Sequence, residues 1–146
     1  MAAALLRGFA LGAANIGPDI LRIVSLCIAL AATETLHGIA RSIWLAPRIG
    51  KGHAIKISAV TGTALAFAVC YAMVPGIGLR GLQQHLVLGA ILAAFMASFD
   101  IAFGRWVMRF KWQRIWQDFN PASGNYLSLG LLALALVPAA IWWLRR

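Results

Sequence analysis

Four runs of apolar residues dominate the chain, at about 20–45, 55–74, 86–103 and 126–144, and each is long enough to cross a bilayer as an α-helix. A span of that kind needs roughly 20 apolar residues, because the hydrocarbon core is about 30 Å thick and a helix rises about 1.5 Å per residue. The runs are too long for the alternating segments of about 10 residues that build a membrane β-barrel. With 62% hydrophobic and only 12% charged residues among 146, the composition is also wrong for an ordinary soluble domain. The expected fold is all-α: a polytopic membrane protein of one domain, residues 1–146, with four transmembrane helices.

The segment between the third and fourth spans follows a different rule. Trp112, Ile115, Trp116 and Phe119 recur at helical spacing, while Lys111, Gln113, Arg114, Gln117 and Asp118 occupy the other face. That pattern predicts an amphipathic helix lying at the headgroup level. Residues 1–17 are short for a span and are broken by Arg7, so a short N-terminal interfacial helix is expected, with a fifth span as the alternative. Pro47 is expected to stop the first span and Pro138 to bend the fourth. Trp106, Lys111, Trp112, Arg114, Trp116, Trp142, Trp143, Arg145 and Arg146 are the expected anchors at the membrane–water boundary.

Thirteen Lys and Arg against four Asp and Glu would suggest nucleic acid in a soluble chain. Here most basic residues flank apolar runs, where they set topology and attract anionic headgroups. The bilayer and its anionic lipids are therefore the expected partners, and nucleic acid is not. Arg41, Arg48, Lys51, Lys56, Arg105, Arg109, Lys111 and Arg114 fall on one side of the four-span arrangement, and Arg7, Arg22, Arg80, Arg145 and Arg146 on the other. The excess predicts cytoplasmic basic connections and outward termini, periplasmic if the bilayer is a bacterial inner membrane. Cys27 and Cys70 lie inside apolar runs and read as small buried hydrophobes, with no disulfide framework.

Ser58, Gly62 and Ala66 repeat every four residues in the second span, as do Gly89, Ala93 and Ala97 in the third, a pattern that lets helices approach closely. The third-span stripe continues to Asp100 and Gly104. In the first span, ETLHGIAR sets Glu34, His37 and Arg41 along one stripe. Ionisable groups inside a bilayer cost about 3 kcal/mol at a helix centre and usually find partners. The expected arrangement is an interhelical polar network of Glu34, His37, Arg41, Asp100 and Arg105, with Arg41 and Asp100 tying span one to span three.

The same residues suggest two other uses. Glu34, His37 and Asp100 can line a path for ions or protons. Glu34-x-x-His37 also has the helical spacing of half a bundle metal site, although Asp100 is the one further acid at hand. His53 and His85 are expected to be solvated or interfacial. No Ser-His-Asp order, tandem carboxylate motif or Cys-x-x-Cys pair occurs, and Gly50-Lys51-Gly52 lacks the spacing of a phosphate loop, so no catalytic residue and no cofactor is assigned.

Glu34, Gly38, Arg41 and Trp44 are echoed by Asp100, Gly104, Arg105 and Trp106, which raises a duplicated helical hairpin as an expectation. The stretches ETLHGIAR, APRIGKG, FDIAFGRWVM and WQDFNPASGNY together resemble a group of small multi-span bacterial membrane proteins, over nearly the whole chain after residue 20. That resemblance implies a membrane protein of bacterial origin and carries no activity, cofactor or site residue with it. On these grounds the expected function is that of a non-catalytic interaction or scaffold subunit, in a homo-oligomer or a larger membrane complex. The alternative is a small channel or proton-coupled transporter built on Glu34, His37 and Asp100.

Overall fold

A computed structural model of the chain describes residues 1–7, 20–120, 122 and 126–146. It contains α1 (Ile20–Ile49), α2 (Lys51–Ile77), α3 (Gly81–Val107), the short α4 (Trp112–Asp118) and α5 (Leu127–Leu144). All but α4 are long and apolar enough to cross a membrane, and no strand occurs among the described residues. The protein is an all-α polytopic membrane protein. Residues 2–7 are helical and exposed; the rest of the expected N-terminal interfacial segment, and Asp19, lie outside the described residues.

Three helices are longer than their apolar runs, for local reasons. Pro47 does not stop α1. Residues Arg41–Leu45 widen into a π-helical turn, and Ala46–Ile49 resumes as an α-helical turn with Pro47 at its start, where a backbone N–H is not needed. Gly50, at φ +86°, makes the turn into α2, a conformation that favours glycine. At the other end of α2, Val74–Ile77 tightens into a 3₁₀ turn that carries the helix past Pro75. α3 also ends in a π-helical turn, Phe103–Val107, closed by the Met108 N–H on the Phe103 carbonyl at 3.0 Å. Pro138 is buried, and α5 continues through it.

The helices alternate in direction. Arg22, near the start of α1, donates to the Gly76 carbonyl at the end of α2, and Arg145 of the C-terminus lies 4.3 Å over the Tyr71 ring. The Arg22 end of the bundle is thus opposite the Gly50 end, where the basic connections lie. In cross-section α1 packs against α2, α2 against α5, α5 against α3 and α3 back against α1. The α3–α5 contact is the most extensive of the four and the α1–α3 contact the sparsest. A hairpin duplicated about an axis along the bundle would put α2 beside α3 and α5 beside α1. The principal contacts are instead α2 with α5 and α1 with α3, so the echo in the sequence is not a symmetric repeat of this kind.

One half of the bundle holds the core. Leu26 and Leu30 of α1, Cys70 and Ile77 of α2, Leu88 and Leu92 of α3 and Ile141 of α5 belong to a single buried cluster on the Arg22 side. Both cysteines are free and buried within it. Gly89 brings α3 and α5 together, since a Cβ there would run into the Ala135 backbone, with the carbonyl carbon 2.8 Å away. Lipid provides no hydrophobic drive between helices, so close approach of this sort is what holds a bundle.

At the Gly50 end, α4 is pinned to the end of α3 by Ile115, which is buried and touches Gly104. Trp112 and Trp116 face outward, as do Trp106 and Trp143. Arg105 lies 5.4 Å over the Trp112 ring, Arg114 4.1 Å over Phe110, and Arg146 5.4 Å over Trp142. Such cation–ring contacts suit a boundary where each side chain has an apolar body and a wet tip.

Candidate functional site

Towards the Gly50 end the four long helices enclose a partly open cavity of about 570 Å³. Its floor is formed by Leu30, Ala66, Met96, Leu134 and Val137, all members of the buried cluster, and it extends past Ile43, Ile55, Met108 and Tyr126. Apolar walls dominate. The polar lining includes Glu34, His37 and Arg41 from α1, Ser58 from α2 and Asp100 from α3. The helical repeat explains the α1 set, because positions separated by three and seven residues fall on one face.

Four of the five residues of the expected network therefore meet at one cavity. Arg105 does not join them. It is exposed, donates to the Phe110 carbonyl at 3.2 Å and covers Trp112. Five positions after Asp100, inside a π-helical turn, it lies off the face that Asp100 presents.

The four that meet do not pair. Glu34, His37, Arg41 and Asp100 make no ion pair within 4.0 Å, which corrects the expected tie between Arg41 and Asp100. Those two residues lie on α1 and α3, whose contact is the sparsest of the four principal helix contacts, and both line the cavity. Among the described residues no group of three or more His, Cys, Asp or Glu could hold a metal ion, so Glu34, His37 and Asp100 share the cavity without forming a ligand set.

One polar contact does join α1 to α2. His37 Nε2 lies 2.8 Å from Thr61 Oγ1, and that hydroxyl lies 3.0 Å from the Ile57 carbonyl. A hydroxyl has one hydrogen; donated to Ile57, it leaves Thr61 to accept the Nε2–H. The assigned neutral tautomer then carries its lone pair on Nδ1. Nδ1 and Glu34 Oε2 lie 3.4 and 3.5 Å from the point where a Cβ of Gly62 would stand. Gly62 is thus a notch in α2 that the His37 ring and the Glu34 carboxylate of α1 fill.

Ser58 departs from the other hydroxyls. Ser25, Thr33, Thr35, Ser42, Thr61, Thr63 and Ser98 each donate to the carbonyl four residues back, the usual resort of a helical hydroxyl in an apolar setting. Ser58 lines the cavity, is 5% exposed, and among the described residues its Oγ has no hydrogen-bond partner, as is also true of the buried Ser128 Oγ. Gly62 and Ser58 were legible only as a small-residue stripe. The spacing showed that they share a face of α2 but not which helix that face meets.

The remaining histidines lie elsewhere. His53 is exposed in the first turn of α2. His85 is not the solvated loop residue its surroundings in the sequence suggest: it is buried near the start of α3, its Nδ1–H donating to the Gly81 carbonyl at 2.8 Å.

Fold and site together define a small four-span α-helical membrane protein with a mostly apolar cavity in one half of its bundle, on whose wall Glu34, His37, Arg41 and Asp100 meet. Comparison of the chain with protein-family models, with curated proteins and with solved structures gives no match to any of them.

Proposed function

We propose that the protein is a small membrane carrier that takes a solute into the cavity from the Gly50 end, with Glu34, His37 and Asp100 as the groups that exchange charge with it. The observation that carries this reading is a set of ionisable groups gathered at one cavity without pairing with one another. Charges that served only to tie helices would be consumed in contacts, because a buried charge is costly to leave alone. The cavity volume also lies within the roughly 300–1,000 Å³ of small-molecule sites.

The opposite half favours a carrier over an open channel. Leu26, Leu30, Leu88 and Leu92 are at most 1% exposed there, so passage to the Arg22 end requires a rearrangement of the bundle. The small-residue stripes that suggested a scaffold offer no outer contact face at Ser58, Gly62, Ala66 or Gly89, which are buried within the monomer.

Proteoliposomes containing the purified protein test the reading with one aromatic probe of each charge type: phenethylammonium, hydrocinnamate and phenylalanine. Saturable accumulation of at least one of them, lost in Glu34→Gln, is expected, without channel-like conductance. Absence of protein-dependent accumulation for all three, with and without a pH gradient, would reject the carrier.

The charge asymmetry supports a bacterial inner membrane as the setting, with the Gly50 end cytoplasmic and anionic headgroups around α4. In intact cells, single cysteines at Lys51 and Lys111 should resist an impermeant thiol reagent while one at Arg80 reacts. Labelling in the opposite sense would reverse the orientation.

A further inference from the structure

We infer that the cavity selects an organic ammonium ion with an aromatic or otherwise apolar body, its charge and N–H donors set against the carboxylates of Glu34 and Asp100. The inference rests on the cavity being a solute site, and adds the class of solute. Its first support is the vertical order of charge. On α1, Glu34 stands one helical turn above the floor residue Leu30, and on α3 Asp100 stands one turn above the floor residue Met96. Arg41 is eleven positions beyond Leu30, roughly 16 Å along the helix. Both carboxylates are therefore near the floor and the guanidinium is nearer the Gly50 end. Of the titratable groups on the lining, only His37 and Tyr126 remain, and neither puts a fixed positive charge at the floor.

The second support is the local chemistry of the notch. Glu34 Oε2 and His37 Nδ1, the lone-pair nitrogen of the assigned tautomer, face the same point beside Gly62. Gly62 gives both side chains room on the cavity wall, and a carboxylate held there without an ion pair suits a group that brings hydrogens and positive charge. Ser58, one turn along the same face of α2, adds a nearly fully buried hydroxyl that no protein group engages. An unpartnered polar atom at such a place is unusual in a folded protein, and a ligand with a polar group in the cavity would satisfy it.

The third support is the wall. Phe99 and Phe103 line the cavity on either side of Asp100 in sequence and belong to a ladder with Phe95, at ring separations of 6.5 and 5.9 Å. Aromatic faces accept both an apolar body and a nearby cation.

Calorimetric titration of the full chain in lipid nanodiscs decides the matter with three probes of nearly the same shape. Phenethylammonium should bind. Its N,N,N-trimethyl analogue, which keeps the charge and loses the N–H donors, should bind about tenfold more weakly or worse, as expected for loss of charge-assisted hydrogen bonds. Hydrocinnamate, the anion, should give no binding heat. Glu34→Gln and Asp100→Asn should each weaken phenethylammonium by about tenfold or more while unfolding at the wild-type temperature, because each removes one of the two carboxylates on the lining. Should a variant fail to fold, the wild-type order among the three probes decides alone.

Equal binding of the trimethyl analogue, or unchanged binding by Glu34→Gln, would overturn the inference. Hydrocinnamate binding that is lost in Arg41→Ala would overturn the solute class and leave the cavity as a solute site. No binding of any probe would overturn both.

Discussion

The two halves of the bundle are built from the same four helices and solve opposite problems. On the Arg22 side, leucines fill the space between helices, and Gly89 lets α3 and α5 touch through their backbones. On the Gly50 side, the glycine at the equivalent point of α2 faces not a backbone but Glu34 and His37, and a cavity of about 570 Å³ separates the walls. A glycine in a membrane helix is thus not one kind of signal. Where the neighbour presents backbone, it cements two helices; where the neighbour presents polar side chains, it makes room for them.

The largest expected effect that separates the halves is a leucine truncation. Leu92→Ala, at a fully buried site of the closed half, should cost about 2–5 kcal/mol in reversible unfolding. Leu131→Ala, on the cavity wall, enlarges a space that already exists and should cost less than half as much. Equal losses would remove the distinction between a filled half and an open one.

Gly89→Ala and Gly62→Ala sharpen the comparison with identical chemistry. The first forces a methyl group into the Ala135 backbone and should destabilise by about 1–3 kcal/mol. The second meets His37 and Glu34 at 3.3–3.5 Å, where a small side-chain shift suffices, and a helical glycine replaced by alanine gains up to about 1 kcal/mol of propensity. Its net effect should be close to zero. Thermal unfolding of both variants in one lipid composition checks the pair.

A double-mutant cycle on Arg41 and Asp100, each changed to Ala, should give a coupling below about 0.5 kcal/mol, because no ion pair joins them. A coupling several times larger would restore the interhelical tie. The smallest effect belongs to the surface: Trp112 and Trp116 are 49% and 62% exposed, so changing both to Ser should leave bundle stability within about 0.5 kcal/mol. In variants that keep Trp112 or Trp116 as the one tryptophan of the chain's six, fluorescence depth measurements should place each at the headgroup level; both in bulk water would remove the interfacial role of α4.

How much of this was legible in the sequence follows from what repeats and what does not. Apolar length announced the four spans, and the spacing of Glu34, His37 and Arg41 announced their common face. Pro47 misled because a π-helical turn has no periodic signature of its own; the helix continued to Ile49, two residues beyond a proline that ordinarily ends one. The same kind of turn at the end of α3 took Arg105 away from the site. The meeting of Gly62 with α1, and of Gly89 with α5, depends on the order of helices around the bundle, which the stripes alone do not encode. His85 was misplaced because the apolar run begins after it, while its side chain bonds a carbonyl in its own helix and needs no water.

The central claim is that one half of the bundle admits water-soluble molecules and the other does not, and the protein carries its own control. Cys27 and Cys70 are 6% and 0% exposed in the closed half. Gly38 lines the cavity, and nothing stands within 4 Å of a Cβ placed there, so Gly38→Cys introduces a thiol without displacing a neighbour. Mass spectrometry after treatment with a charged, water-soluble thiol reagent, in nanodiscs, should show an unlabelled wild type and a singly labelled variant, with the label at position 38. A variant that stays as inert as the wild type, or native cysteines that react as readily as the new one, would contradict the account.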